Sequence, residues 1–92
     1  MQNSRVERIV EVCHADGLHM RPAMQFVDCA NGFDSKISVY KGQQCVDGKS
    51  IMQMTMLAAT KGTPLKIIAE GNDANEAVEA LAALIENRTS DQ

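Results

Sequence analysis

Apolar residues recur along this chain with two different periods, and the switches between those periods mark out its elements. Val6 to Cys13 carries the β-branched Val6, Ile9, Val10 and Val12 among charges, with clean alternation only over Val10-Glu11-Val12, and predicts a strand. From His19 to Asn31 the apolar set Ala23, Phe26, Val27 and Ala30 follows i, i+3, i+4, i+7, which is one face of a helix, and Gly32 suits the residue just past its end. Ile37 and Val39 alternate with Ser38 and Tyr40, and after Lys41-Gly42 the run Gln44-Cys45-Val46 completes a hairpin, which Asp47-Gly48 closes with a turn.

Ser50-Ile51-Met52-Gln53 has the form of a capping box, in which the serine hydroxyl accepts from the amide three residues on and Gln53 reaches back. It predicts a short helix through about Ala59, broken by Lys61-Gly62-Thr63-Pro64. Leu65, Ile67 and Ala69 then alternate with Lys66, Ile68 and Glu70 in a fourth strand ended by Gly71-Asn72. Asp73-Ala74-Asn75-Glu76 is a second capping signal, and Ala74, Ala77, Val78, Leu81, Leu84 and Ile85 draw one apolar stripe down a closing helix. The order is β-α-β-β-α-β-α in one α+β domain over residues 1–92, with a polar tail at about 88–92. Strands that alternate rather than run wholly apolar imply a sheet with one face under helices and the other in water.

Composition narrows the function. With 92 residues, one modest core is expected, too small for two lobes around a large substrate. Aromatics are 3% of the chain and Trp is absent, so the core must be aliphatic and the stacking platforms of single-strand nucleic-acid binders are missing. A formal net charge of −3 and no Lys/Arg run argue against a nucleic-acid partner. The N-terminal segment leads straight into the first strand without a signal-like apolar stretch, and no run is long enough to span a bilayer, so a cytoplasmic protein without membrane insertion is expected. Cys13, Cys29 and Cys45 are odd in number and never form C-x-x-C, and are expected to be free, mostly buried thiols. His14 beside Cys13 lacks a third ligand at suitable spacing; no metal or cofactor is expected, and His14 should simply be solvated.

The candidate chemistry lies in Asp16-Gly17-Leu18-His19-Met20-Arg21-Pro22-Ala23. Pro22 belongs in a first helical turn, where its missing N–H costs nothing and its fixed φ is already helical. Helix starts leave backbone N–H groups unpaired, and these attract anions together with the positive end of the helix dipole. A neutral imidazole at that place is a nucleophile near pH 7, and a phosphoryl group accepted by His19 could be balanced by the planar fork of Arg21. An arginine at a helix start is unfavourable by dipole logic, which itself favours a functional role. Ser50 combines a stabilising cap with an addressable hydroxyl. Ile51, Met52, Met54, Met56 and Leu57 are too many apolar side chains for one face of a short helix, so some should remain exposed as a docking patch.

Gly17-Leu18-His19-Met20-Arg21-Pro22-Ala23, Lys49-Ser50-Ile51-Met52 and Lys61-Gly62, in register over nearly the whole chain, resemble the HPr phosphocarrier family of the phosphoenolpyruvate-dependent sugar phosphotransferase system. The resemblance implies an HPr-like open-faced sandwich, a four-stranded antiparallel sheet of order 1-4-2-3 with three helices on one face. It implies a phosphocarrier, not an enzyme, in which His19 takes a phosphoryl group on Nδ1 from enzyme I and passes it to a sugar-specific enzyme IIA, with Arg21 balancing the phosphate charge. Ser50 matches a regulatory site for HPr kinase/phosphorylase, and Met20, Met24, Ile51 and Met52 match the docking surface of a monomer. Three departures from the family pattern bear on partner choice: Met20 for the usual Ala, Gln53-Met54-Thr55-Met56 for a glycine- and serine-containing stretch, and Asp28 where many members are basic or neutral. The alternatives are a regulatory HPr-like protein outside sugar transport, or a binding module that never takes phosphate at His19.

Overall fold

The computed structural model describes residues 4–15, 17–18 and 20–86. The elements are β1 (Ser4–Glu11), α1 (Met20–Asn31), β2 (Lys36–Lys41), β3 (Gln44–Asp47), α2 (Ile51–Met56), β4 (Pro64–Gly71) and α3 (Ala74–Ile85). The four strands form one sheet of order β1-β4-β2-β3, antiparallel throughout. β4 runs down the centre, with Ile67 opposite Arg8 on one side and Val39 on the other. Pro64 is tolerated in this central strand because it is the first residue, paired with Glu11 but lying beyond the last partner on β2.

Period-2 burial gives the sheet two unlike faces. Val10, Leu65, Ile67, Ala69, Ile37, Val39 and Val46 are buried beneath the helices, while Ile9, Glu7, Glu70 and Cys45 stay in water on the other side. Phe26 is the one fully buried aromatic among the described residues, so α1 inserts a ring into an otherwise aliphatic core. α1 buries Pro22, Ala23, Phe26, Val27 and Ala30; α3 buries Ala74, Ala77, Val78, Leu81, Ala82 and Ile85. The small alanines let α3 pack on β1, β4 and α1, while α2 rests on α1 and β3.

Several local expectations need correction. β1 stops at Glu11, and Val12 and Cys13 leave the ladder to donate to Thr63 O at 3.0 Å and Ile85 O at 3.2 Å. α2 ends at Met56 instead of continuing to about Ala59, because Ala58 takes a left-handed φ of +50° that no helix accommodates. Only half of the capping box forms. Ser50 Oγ accepts from Gln53 N at 3.3 Å, but Gln53 Oε1 accepts from Asp47 N at 2.9 Å instead of reaching back to Ser50.

Asp73 stands at the start of α3 without making a side-chain cap. Its carboxylate instead accepts from Ser35 Oγ at 2.6 Å, Asp34 N at 2.9 Å and Ser35 N at 3.0 Å, satisfying the buried Ser35 and tying the turn before β2 to α3. Those donors, led by the Ser35 hydroxyl, hold the Asp73 carboxyl below its ordinary value. The cysteines are free as expected but not mostly buried: Cys13 lies past a strand end and Cys45 on an edge strand, both exposed, while Cys29 is half-buried. Burial pushes the Cys29 thiol up. The expected tail at about 88–92 lies outside the described residues.

Candidate functional site

The loop from β1 to α1 is fixed by its backbone. Gly17 has φ +81° and its N–H donates to His14 O at 2.9 Å; Leu18 is buried and its N–H donates to Ala59 O at 2.7 Å. The approach is so close that a Cβ on Gly17 would lie 2.6 Å from Ala59 O, which explains why glycine stands there. His14 is half-buried rather than solvated, with Nε2 3.0 Å from Leu84 O. A carbonyl only accepts, so Nε2 is the donor of this bond, which hooks the loop onto the end of α3.

His19 and Asp16 lie outside the described residues. What the structure places is the frame on either side: buried Leu18 before His19, and Met20 as the first helical residue after it. Pro22 and Ala23 turn into the core while Arg21 faces water, and no acidic residue shares the first turn of α1. The positive end of the helix dipole and the guanidinium therefore stand together beside the histidine in sequence, with no carboxylate from that turn to neutralise them.

Ser50 is the half-buried N-cap of α2, with extended φ −114° and ψ 116°. The loop ahead of it is braced from both sides. Ser50 N donates to Asp47 O at 3.1 Å and Lys49 N to Asp47 Oδ1 at 2.9 Å, while Lys49 Nζ reaches Phe33 O at 2.7 Å. Asn31 Nδ2 donates to Val27 O at 3.0 Å and to Lys49 O at 3.3 Å, joining the end of α1 to this loop. At the other end of α2, Lys41 Nζ donates to Leu57 O at 2.6 Å. Sequence reasoning missed Asn31, Lys41 and Lys49, because their partners are backbone carbonyls 16 to 18 residues away and carry no side-chain signature. Gly48 did carry one, as half of the Asp-Gly turn signal, and a Cβ there would meet Ile37 Cγ2 at 2.5 Å.

Among the expected docking residues, Met20, Met24 and Ile51 come together with Val27 and Asp28 around one groove between α1 and α2. Met52 does not line it but stands on α2 with 75% of its surface exposed. Met56 is also exposed, whereas Met54 and Leu57 are buried, so the surplus of apolar residues on α2 divides as anticipated. The described residues hold no cluster of three or more metal-ligating side chains, and no helix among them is long and apolar enough to cross a membrane.

An open-faced β-α-β-β-α-β-α sandwich, with Arg21 and Pro22 in the first turn of its first helix just after His19 in sequence and a serine capping its second, has the form of a small phosphoryl-carrier domain. The chain belongs to the HPr family of the phosphotransferase system: the model of the PTS HPr component phosphorylation site matches residues 6–87. It is 47% identical over 76 residues to the phosphocarrier protein HPr of Haemophilus influenzae, covering 83% of this chain and 89% of that one. The crystal structure of a phosphocarrier protein HPr from Bacillus anthracis superposes with a TM-score of 0.86 at 43% identity, over 89% of this chain and 98% of the other. A structure of the Bacillus subtilis catabolite-repression protein Crh, described as a swapped dimer, matches with a TM-score of 0.73, also at 43% identity, over 89% and 94% of the two chains. Identity to these two structures is equal, so it does not separate carriers of the family from its regulators.

Proposed function

We infer that this chain relays a phosphoryl group from phosphorylated enzyme I to a sugar-specific enzyme IIA through Nδ1 of His19. The observation that carries this reading is the exposed Arg21, in a first helical turn free of acid, two residues after a histidine that matches the family motif. In the transfer the N–P bond of the donor phosphohistidine breaks as an N–P bond to His19 forms, and the reverse exchange delivers the group to the acceptor. A phosphoramidate keeps enough transfer potential for that second step, which a serine ester would not. Arg21 and the main-chain amides of the first turn lower the cost of the arriving negative charge. The chain would act in the cytoplasm as a monomer, a state that size-exclusion chromatography separates from the swapped dimer described for Crh.

The test is incubation with phosphoenolpyruvate and an enzyme I from the same genome. Wild type is expected to take an acid-labile, base-stable phosphate, His19→Ala none, and Arg21→Glu the same label much more slowly with unchanged folding. A wild type without label, or a labelled His19→Ala, overturns the reading, and the unlabelled wild type would leave a pure binding module in its place.

A regulatory role is the second reading, and the bracing around Ser50 favours it. The hydroxyl stands half-buried on a loop fixed by Asn31 and Lys49, next to Ile51 in the groove. A phosphate placed there by an HPr kinase/phosphorylase would bring about −2 charge to the rim of an apolar groove and oppose docking through its desolvation cost. Ser50→Asp that transfers phosphate as fast as wild type would remove this role.

A further inference from the structure

Resting on the carrier reading, we propose that the partner seated between α1 and α2 presents a cation to Asp28, a lysine or arginine at the edge of an apolar patch, and that Asp28 selects among partners by this charge. Met20, Met24, Val27 and Ile51 give the groove apolar walls, and among the described residues Asp28 is the one charged residue that lines it. Asp28 is exposed, and the ion pairs among the described residues join Arg5 to Glu7 and Glu70 and Arg8 to Glu79, none reaching it. Helix stability does not call for an acid there. Asp28 sits in the C-terminal half of α1, near the negative end of the dipole, and no basic residue occupies the last turn.

Position along the helix turns the single charge into a pattern. Arg21 and Asp28 are seven residues apart, two turns or about 10 Å on the same face, with Met24 between them. A complementary partner therefore carries an anion at one end, which the transferred phosphoryl group supplies, then an apolar surface, then a cation two helical turns further on. A partner with an acid at that last place would meet the exposed Asp28 with a like charge, a repulsion that is strongest at low salt.

The experiment measures kcat and KM for label transfer from an enzyme I of the same genome, at low and at high salt. Asp28→Asn and Asp28→Lys are compared with Gln44→Lys, which makes the same +1 change as Asp28→Asn on exposed edge strand β3, away from the groove. Asp28→Lys is expected to lower kcat/KM roughly five- to tenfold at low salt, through KM, with Asp28→Asn intermediate and the gap narrowing at high salt. Gln44→Lys should match wild type, and circular dichroism should report the same melting for all four proteins. Asp28→Lys equal to or faster than wild type, or Gln44→Lys as slow as Asp28→Asn, overturns the inference while leaving the carrier reading intact. A wild type that takes no label overturns both.

Discussion

α3 and the α1–α2 face carry apolar residues at the same helical spacing and leave them in opposite surroundings. On α3 the stripe of Ala77, Val78, Leu81 and Ile85 is wholly buried, whereas Met20, Met24, Met52 and Met56 remain 49% to 75% exposed on the other two helices. The buried stripe is built from alanine and branched aliphatics, which fill a core in few rotamers. The exposed set is all methionine, unbranched and adaptable, and it comes in two i, i+4 pairs, one along α1 and one along α2. Period alone announces an apolar face, and neither it nor the kind of side chain says which residues enter the core, since Met54 on α2 is fully buried between exposed Met52 and Met56.

The largest expected effect tests this division directly. Leu81→Ala removes a fully buried side chain from the α3–sheet contact and should destabilise by about 2–5 kcal/mol, read from urea unfolding. Met52→Ala, equally a deletion of apolar atoms on a helix, should stay within about 0.5 kcal/mol. If Met52→Ala approached the cost of Leu81→Ala, the methionine face would belong to the core and the comparison would collapse.

A second contrast is that the α3 side is held by packing and the β1–α1 loop by backbone geometry. Gly17→Ala combines a left-handed φ of +81° with a Cβ 2.6 Å from a main-chain oxygen that cannot swing aside. It should cost roughly 2–3 kcal/mol, and it should slow phosphoryl transfer as well, because Leu18 and the start of α1 shift with it. Chemical denaturation and the label assay measure the two effects separately, and transfer at the wild-type rate would uncouple this loop from the chemistry.

What could be read in the sequence follows from how local each signal is. Element order, the helix faces and the motif around Arg21 came from residues within one or two turns of each other. Asp73 misled because Asp-x-x-Glu is a legitimate capping pattern, yet buried Ser35, 38 residues away, competes better for the carboxylate. His14 was misjudged for the same reason, since its partner is a carbonyl 70 residues on. The convergence of Met20, Met24 and Ile51 with Asp28 on one groove depends on how α2 packs against α1, which no window along the chain contains.

The smallest effect concerns the end of α2, where the capping pattern predicted about three more helical residues than exist. Ala58 holds φ +50° with its side chain in solvent, an arrangement that costs an L-residue roughly 1–2 kcal/mol. Glycine removes that cost but adds about 0.5–1 kcal/mol of entropy lost on folding. The net expectation for Ala58→Gly is a gain of roughly 0.5 kcal/mol, a rise in Tm of about 2–4 °C for a domain of this size. The strain sits one residue before Ala59, whose carbonyl anchors Leu18, so the substitution also shows whether that anchor needs a stiff support. A higher Tm with unchanged transfer makes Ala58 a plain stability defect; a higher Tm with slower transfer means that its rigidity serves the phosphoryl loop.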